Sequence, residues 1–121
     1  MRKCIVILLF CGVGMHAESL VSRSKKLLVA SFAALTAAEM ADSASSWGKL
    51  ESNPVLGQSR FDASKAGVKL GMVSGVIGAQ YLILRHRSPT AYKMVAAFNF
   101  ASAGALGAIA YRNMQIPQLP K

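Results

Sequence analysis

The sequence predicts an all-α fold, a small helical membrane protein in which an N-terminal signal peptide or anchor precedes three helices over about residues 25–45, 64–85 and 90–112. Three observations lead there. The chain of 121 residues is 53% hydrophobic and 16% charged, with a mean hydropathy of +0.37, whereas a soluble domain this small must cover most of its surface with polar groups. Its 14 Lys and Arg outnumber 5 Asp and Glu, and they gather at the edges of apolar blocks. Arg23, Lys25 and Lys26 precede the first block, Lys65 and Lys69 open the second, and Arg85, Arg87 and Lys93 separate the last two. That distribution suits anchoring to anionic headgroups and lacks the aromatic-interleaved basic stripe of a nucleic-acid surface, so membrane lipid is the expected partner and nucleic acid is not. The blocks themselves approach or reach the length of a bilayer span.

Arg2 and Lys3 open the chain, an apolar core from Ile5 to Phe10 follows, and Ala17 and Ser19 offer small residues for cleavage. This is the order of a signal peptide over residues 1–19 or, uncleaved, of an anchor. Both cysteines, Cys4 and Cys11, fall inside it, so no disulfide is expected in the remainder. Residues 20–112 then read as a single helical membrane domain, and 113–121, with Pro117 and Pro120, as a flexible tail.

In the first helix Thr36, Glu39, Asp42, Ser43 and Ser46 fall on one side at helical spacing, with Leu28, Phe32 and Leu35 placed elsewhere on the wheel. Its uncharged stretch runs only from Leu27 to Ala38. It therefore crosses a membrane only if Glu39 and Asp42 sit near an interface or face protein, and otherwise lies along the surface. The second helix reads as a true span, since Ala66 to Leu84 covers about 28 Å at 1.5 Å per residue. Gly67, Gly71, Gly75 and Gly78 clear one of its faces for close backbone approach, and Ala97, Ala101, Ala105 and Gly107 do the same in the third, from Ala91 to Tyr111. Packing against helices of the same chain is the expected use; contact with a second copy or another membrane protein is the alternative. Asn99 and Ser102 add hydrogen-bonding groups, and Tyr92 and Tyr111 stand at the helix ends as interfacial aromatics.

Trp47 to Lys65, rich in Gly, Ser, Asn and Pro, is a loop by composition, with Asp62 or Ser64 as N-cap of the next helix. Asp42, Ser45, Ser46, Glu51, Asn53 and Lys69 form a polar cluster around it. A carboxylate is costly at membrane depth unless a cation is near, so Asp42 or Glu51 is expected to pin the loop to Lys69.

In this region the chain resembles a family of small bacterial and archaeal integral membrane proteins of unknown function. Their first membrane helix ends in D-x-x-[ST]-[ST], continues into E-x-N-P and an apolar pair, and is followed by a Lys early in the next helix. The matching residues are Asp42 with Ser45 and Ser46, then Glu51-Ser52-Asn53-Pro54-Val55-Leu56, then Lys69, with Ser46 standing where Thr is usual. The resemblance covers about residues 42–69. It implies a three-helix or four-helix membrane fold and by itself no activity; the expected location is a bacterial inner membrane, as a multi-pass protein.

No enzyme is expected from the remaining residues. Asp42, Glu51 and Lys69 lack a nucleophilic partner, and His86, between Arg85 and Arg87, reads as a solvated turn residue. Zinc spacing, a phosphate loop and a dinucleotide fingerprint are all missing, so neither a metal nor another cofactor is expected. A structural or partner-binding role in the cell envelope follows, with the loop outside in two of the three topologies the elements permit. The alternative is an oligomeric ion- or proton-conducting protein that uses the same residues.

Overall fold

The computed structural model describes residues 20–51 and 54–118. The expected signal or anchor over residues 1–19, Asn53 of the polar cluster and the last three residues of the expected tail lie outside them. The described residues form α1 (Leu20–Ser46), α2 (Ala63–Leu84) and α3 (Pro89–Met114), the expected all-α class with three apolar helices. Local chemistry sets the ends. The Asp62 carboxylate accepts from Lys65 N at 3.1 Å to cap α2, and Ser88 Oγ accepts from Ala91 N at 3.4 Å while Pro89 fills the first turn of α3. α1 stops where Gly48 takes a φ of +73°, a conformation that Gly adopts without the strain a Cβ brings.

All three helices are long and apolar enough to cross a membrane, the pattern of a multi-pass membrane protein. α1 is the central element: it packs along α3 and, less extensively, against α2, whereas α2 and α3 make the slightest contact of the three pairs. Lys25 lies beside Tyr92, Ser31 bonds to Asn99 and Asp42 bonds to Asn113, so α1 and α3 run parallel. Lys69 meets Asp42 and Gln80 meets Asn99, which sets α2 antiparallel to both. This places Arg23, Lys25 and Lys26 at the same end as Arg85, Arg87 and Lys93, with the 47–62 loop at the other.

The burial is inverted relative to a water-soluble bundle. Ser24, Ser31, Glu39, Asp42, Ser43, Glu51, Lys65 and Asn99 are buried, while Leu82, Ile83, Met94 and Phe98 point outward, each more than 60% exposed. In water such a surface drives association; in lipid it is the solvated side. The buried face of α1 is a mixed row, Ser24, Leu28, Ser31, Leu35, Glu39 and Asp42, in steps of three and four residues. Leu28 and Leu35 thus share the face of the polar stripe, contrary to the expectation that they lie elsewhere. Glu39 and Asp42 face protein, which is the condition under which α1 spans. Tyr92, expected at a lipid interface, is instead buried with Leu28 and Leu84, and its ring centroid lies 6.0 Å from Lys25 Nζ. Tyr111 is exposed as expected.

Among the described residues, the small-residue rows are not packed against another helix. An added Cβ at Gly67, Gly71, Gly75, Gly78 or Gly107 would meet nothing within 4 Å, and Ala97, Ala101 and Ala105 are exposed. The reason is phase. Lys65, Lys69, Val73, Gln80 and Leu84 make the inward row of α2, and Tyr92, Ala96, Asn99, Ala110 and Asn113 that of α3. Gly67, Gly71 and Gly75 fall two positions from that row, about 200° around α2, Ala97, Ala101 and Ala105 fall on the side of α3 away from its row, and Gly107 lies about 60° from it. Intramolecular packing was the expected use, and α1 takes that place through the other faces.

Mid-bundle, the three helices meet at one amide. Asn99 Nδ2 donates to Gln80 Oε1 at 2.8 Å and to Ser31 Oγ at 3.1 Å, Gln80 Nε2 donates back to Asn99 Oδ1 at 3.1 Å, and Ser31 Oγ donates to Leu28 O at 2.7 Å. Asn99 is fully buried, so each of these groups would be unpaired without the others. Hydrogen bonds between membrane helices are worth about 0.6–1.7 kcal/mol each. Asn99→Ala is therefore expected to lower stability in detergent by about 1–2 kcal/mol, measured by denaturant unfolding followed by circular dichroism, whereas Phe98→Ala on the outer face should cost less than about 0.5 kcal/mol.

Candidate functional site, the charged cluster under the loop

The loop is folded rather than open. After Gly48 the chain turns back through an antiparallel bridge between Leu50 and Arg60, with Phe61 N donating to Lys49 O at 2.7 Å and Glu51 N to Ser59 O at 3.0 Å. Phe61, 1% exposed, packs its ring edge-on to Trp47 at 6.4 Å between centroids and lies under the Lys69 ammonium at 5.1 Å. Lys65 Nζ donates to Gly57 O at 2.9 Å and to Ser59 O at 2.8 Å, tying the far strand of the loop to the first turn of α2.

Under this loop Lys69 Nζ donates to Asp42 Oδ2 at 2.6 Å and stands 3.8 Å from Glu51 Oε2. One ammonium thus joins α1, α2 and the loop. All three side chains are largely buried, where a charge-assisted bond is strong and an unmatched charge is costly. Asp42 Oδ1 accepts a second bond, from Asn113 Nδ2 at 3.1 Å, and the same amide donates to Ser46 Oγ at 3.0 Å. Lys49 Nζ donates to the Asn113 carbonyl. The end of α3 is therefore locked into the cluster through its side chain and its backbone.

Of the residues expected to form the cluster, Asp42, Ser46, Glu51 and Lys69 come together. Ser45 does not join by its side chain, since its hydroxyl donates to Asp42 O of its own helix at 2.9 Å. Asn53 lies outside the described residues. Asn113 is the residue that sequence reasoning missed, because Pro117 and Pro120 suggested a tail beginning there; α3 instead runs to Met114, and Gln118 Nε2 still reaches Trp47 O at 3.4 Å. The available signal was its spacing, 14 residues beyond Asn99 on the inward row. Lys65 and Glu39 were also left out of the expected cluster, yet both are buried beside it.

Glu39, Asp42, Ser46, Lys69 and Asn113 line a cleft of about 530 Å³ that opens between α2 and α3. Among the described residues, no group of three His, Cys, Asp or Glu side chains could hold a metal ion. The geometry can do two things: neutralise buried charge so that the loop stays closed on the helices, and offer carboxylate oxygens to a group entering the cleft. Asn113→Ala removes two side-chain hydrogen bonds and is expected to cost about 1–2 kcal/mol in detergent unfolding, against less than about 0.5 kcal/mol for Arg112→Ala on the exposed neighbour. Comparison of the chain with protein-family models, curated proteins and solved structures finds no match, so the resemblance over residues 42–69 rests on its motif residues alone.

Proposed function

We propose that the protein has a structural or partner-binding role, without catalysis, in a bacterial inner membrane, with the loop presented on the envelope side. The observation that carries this reading is the Lys69 ammonium held between Asp42 and Glu51, because it joins α1, α2 and the loop by charges that close the loop on the helices. Buried Leu35 and Val73 lie on the inward rows between the charged cluster and the Asn99 amide, and this apolar layer favours a pinned bundle over an ion path. The motif resemblance supports the bacterial membrane.

The orientation follows from charge. Arg23, Lys25, Lys26, Arg85, Arg87 and Lys93 gather at one end, whereas at the loop end Lys65 and Lys69 are tied to the loop and to Asp42, with Lys49, Arg60 and Arg112 the other cations there among the described residues. The positive-inside rule puts the six-cation end in the cytoplasm and the loop outside. An export signal over residues 1–19 followed by a spanning α1 requires the reverse. The outward rows of Gly67, Gly71 and Gly75 and of Ala97, Ala101 and Ala105 are the surfaces for a second copy or another membrane helix.

The test is a double-mutant cycle. Lys69→Met leaves the carboxylates without their ammonium and is expected to cost about 3–5 kcal/mol, with a loss of protein level in the membrane. Asp42→Asn costs less, since Glu51 still faces Lys69, and the double variant should recover part of the Lys69→Met loss. Normal abundance of the single variants with an altered membrane potential would instead assign these residues to conduction. For orientation, Gln58→Cys in a chain with Cys4 and Cys11 replaced by Ser is expected to react with a membrane-impermeant thiol reagent in intact cells; labelling only after lysis would reverse the assignment. Gly75→Leu should leave the unfolding of the isolated chain unchanged while reducing chemical crosslinking to a partner in the membrane.

A further inference from the structure

We infer that the cleft between α2 and α3 is a binding site for an amphipathic organic cation, an ammonium carried on an apolar body, with Glu39 as its counter-charge. The inference goes beyond the pinning role and does not rest on it. Glu39 is buried, 9% exposed, and lines the cleft. Among the described residues its carboxylate has no hydrogen bond and no cation within salt-bridge distance. It lies one helical turn deeper than Asp42, about 4.5 Å further toward the bundle centre.

At that level the cleft walls are apolar: Met72 from α2, and Leu106 and Ile109 from α3. The nearest ammonium, Lys69, is engaged by Asp42 at 2.6 Å, and Lys49 is engaged by the Asn113 carbonyl. Glu39 is therefore a buried carboxyl group on an apolar stretch of the cleft wall, with no cation bonded to it among the described residues. The room beside it in the cleft is where a cation would meet it. A carboxylate in an apolar setting draws a cation far more strongly than one in water.

The shape selects the kind of cation. A bare metal ion needs several oxygen ligands in one shell, and the described residues provide no such group. An ammonium on a hydrocarbon body matches both parts of the site, its charge on Glu39 and its apolar body on Met72, Leu106 and Ile109. A cleft of about 530 Å³ is in the range of small-molecule sites. Leu50, Leu56, Ile116 and Pro117 continue the apolar lining toward the loop end, so the body of such a molecule meets hydrocarbon along the cleft. The same chemistry is offered by the ethanolamine headgroup of a phospholipid and by a free amphipathic amine.

The experiment titrates octylammonium chloride into the purified full chain in dodecyl maltoside, with 1-octanol as the uncharged control, by isothermal titration calorimetry. Saturable binding of about one octylammonium per chain is expected, weakened at least tenfold in Glu39→Gln, with octanol unable to tell the two proteins apart. Equal octylammonium binding by the wild type and Glu39→Gln, or no saturable binding by the wild type, overturns the proposal. Glu39→Gln should melt at or above the wild-type temperature, since it removes a buried unmatched carboxylate. If that variant does not fold, Met72→Trp fills the cleft from its rim: lost binding supports the site and unchanged binding overturns it. Added phosphatidylethanolamine that blocks octylammonium assigns the site to a lipid headgroup, and undiminished binding assigns it to a free amine.

Discussion

One ammonium inside the bundle governs the loop end of this protein. Lys69 and Asp42 offset each other's charge at a buried position, and Glu51 brings a second carboxylate to within 3.8 Å of the same ammonium. Asp42 belongs to α1, Lys69 to α2 and Glu51 to the loop, so neutralising the charge is the same event as bringing three separate pieces of chain together. Asn113 extends the constraint to α3, and Phe61 beneath the ammonium fixes where the loop closes. Mutual dependence of this kind makes the cluster intolerant of partial loss: a missing partner leaves a charge in a poorly solvating place.

The rest of the bundle follows a second constraint, that backbone and side-chain polarity must be satisfied internally where lipid is the solvent. Each helix sends one row inward in steps of three and four residues, the spacing of side chains interlocking between nearly aligned helices. These rows carry Ser, Asn, Gln, Lys and carboxylates; Ser31, Asn99, Gln80, Lys69, Asp42 and Asn113 find partners in each other, and Glu39 does not. The outer faces carry Leu, Ile, Met and Phe, which need none. Hydrophobicity therefore does not distinguish inside from outside here, and hydrogen bonding does.

Because α1 stands between its neighbours, α2 and α3 leave a gap on one side, and both keep their small residues facing out. Among the described residues the three helices leave two kinds of surface uncovered: small-residue rows that suit another backbone, and a cleft lined by a deep carboxyl group. The two are chemically different.

By itself the sequence determined what the solvent demands. Block length, the charge between blocks and the composition of 47–65 were enough for the number of helices, their approximate limits and the membrane setting, because bilayer thickness acts on contiguous residues. The Asp42, Glu51 and Lys69 association was legible for a related reason: few charges flank the apolar blocks, so their partners are few. Tertiary structure decided which faces meet. The Gly67, Gly71 and Gly75 row and the Ala97, Ala101 and Ala105 row look like contact surfaces, yet the inward rows fall two residues out of phase with them. Asn99 against Gln80 and Ser31, and Asn113 against Asp42 and Ser46, join residues up to 71 positions apart. Such pairs depend on the mutual rotation and register of whole helices, which no local spacing records.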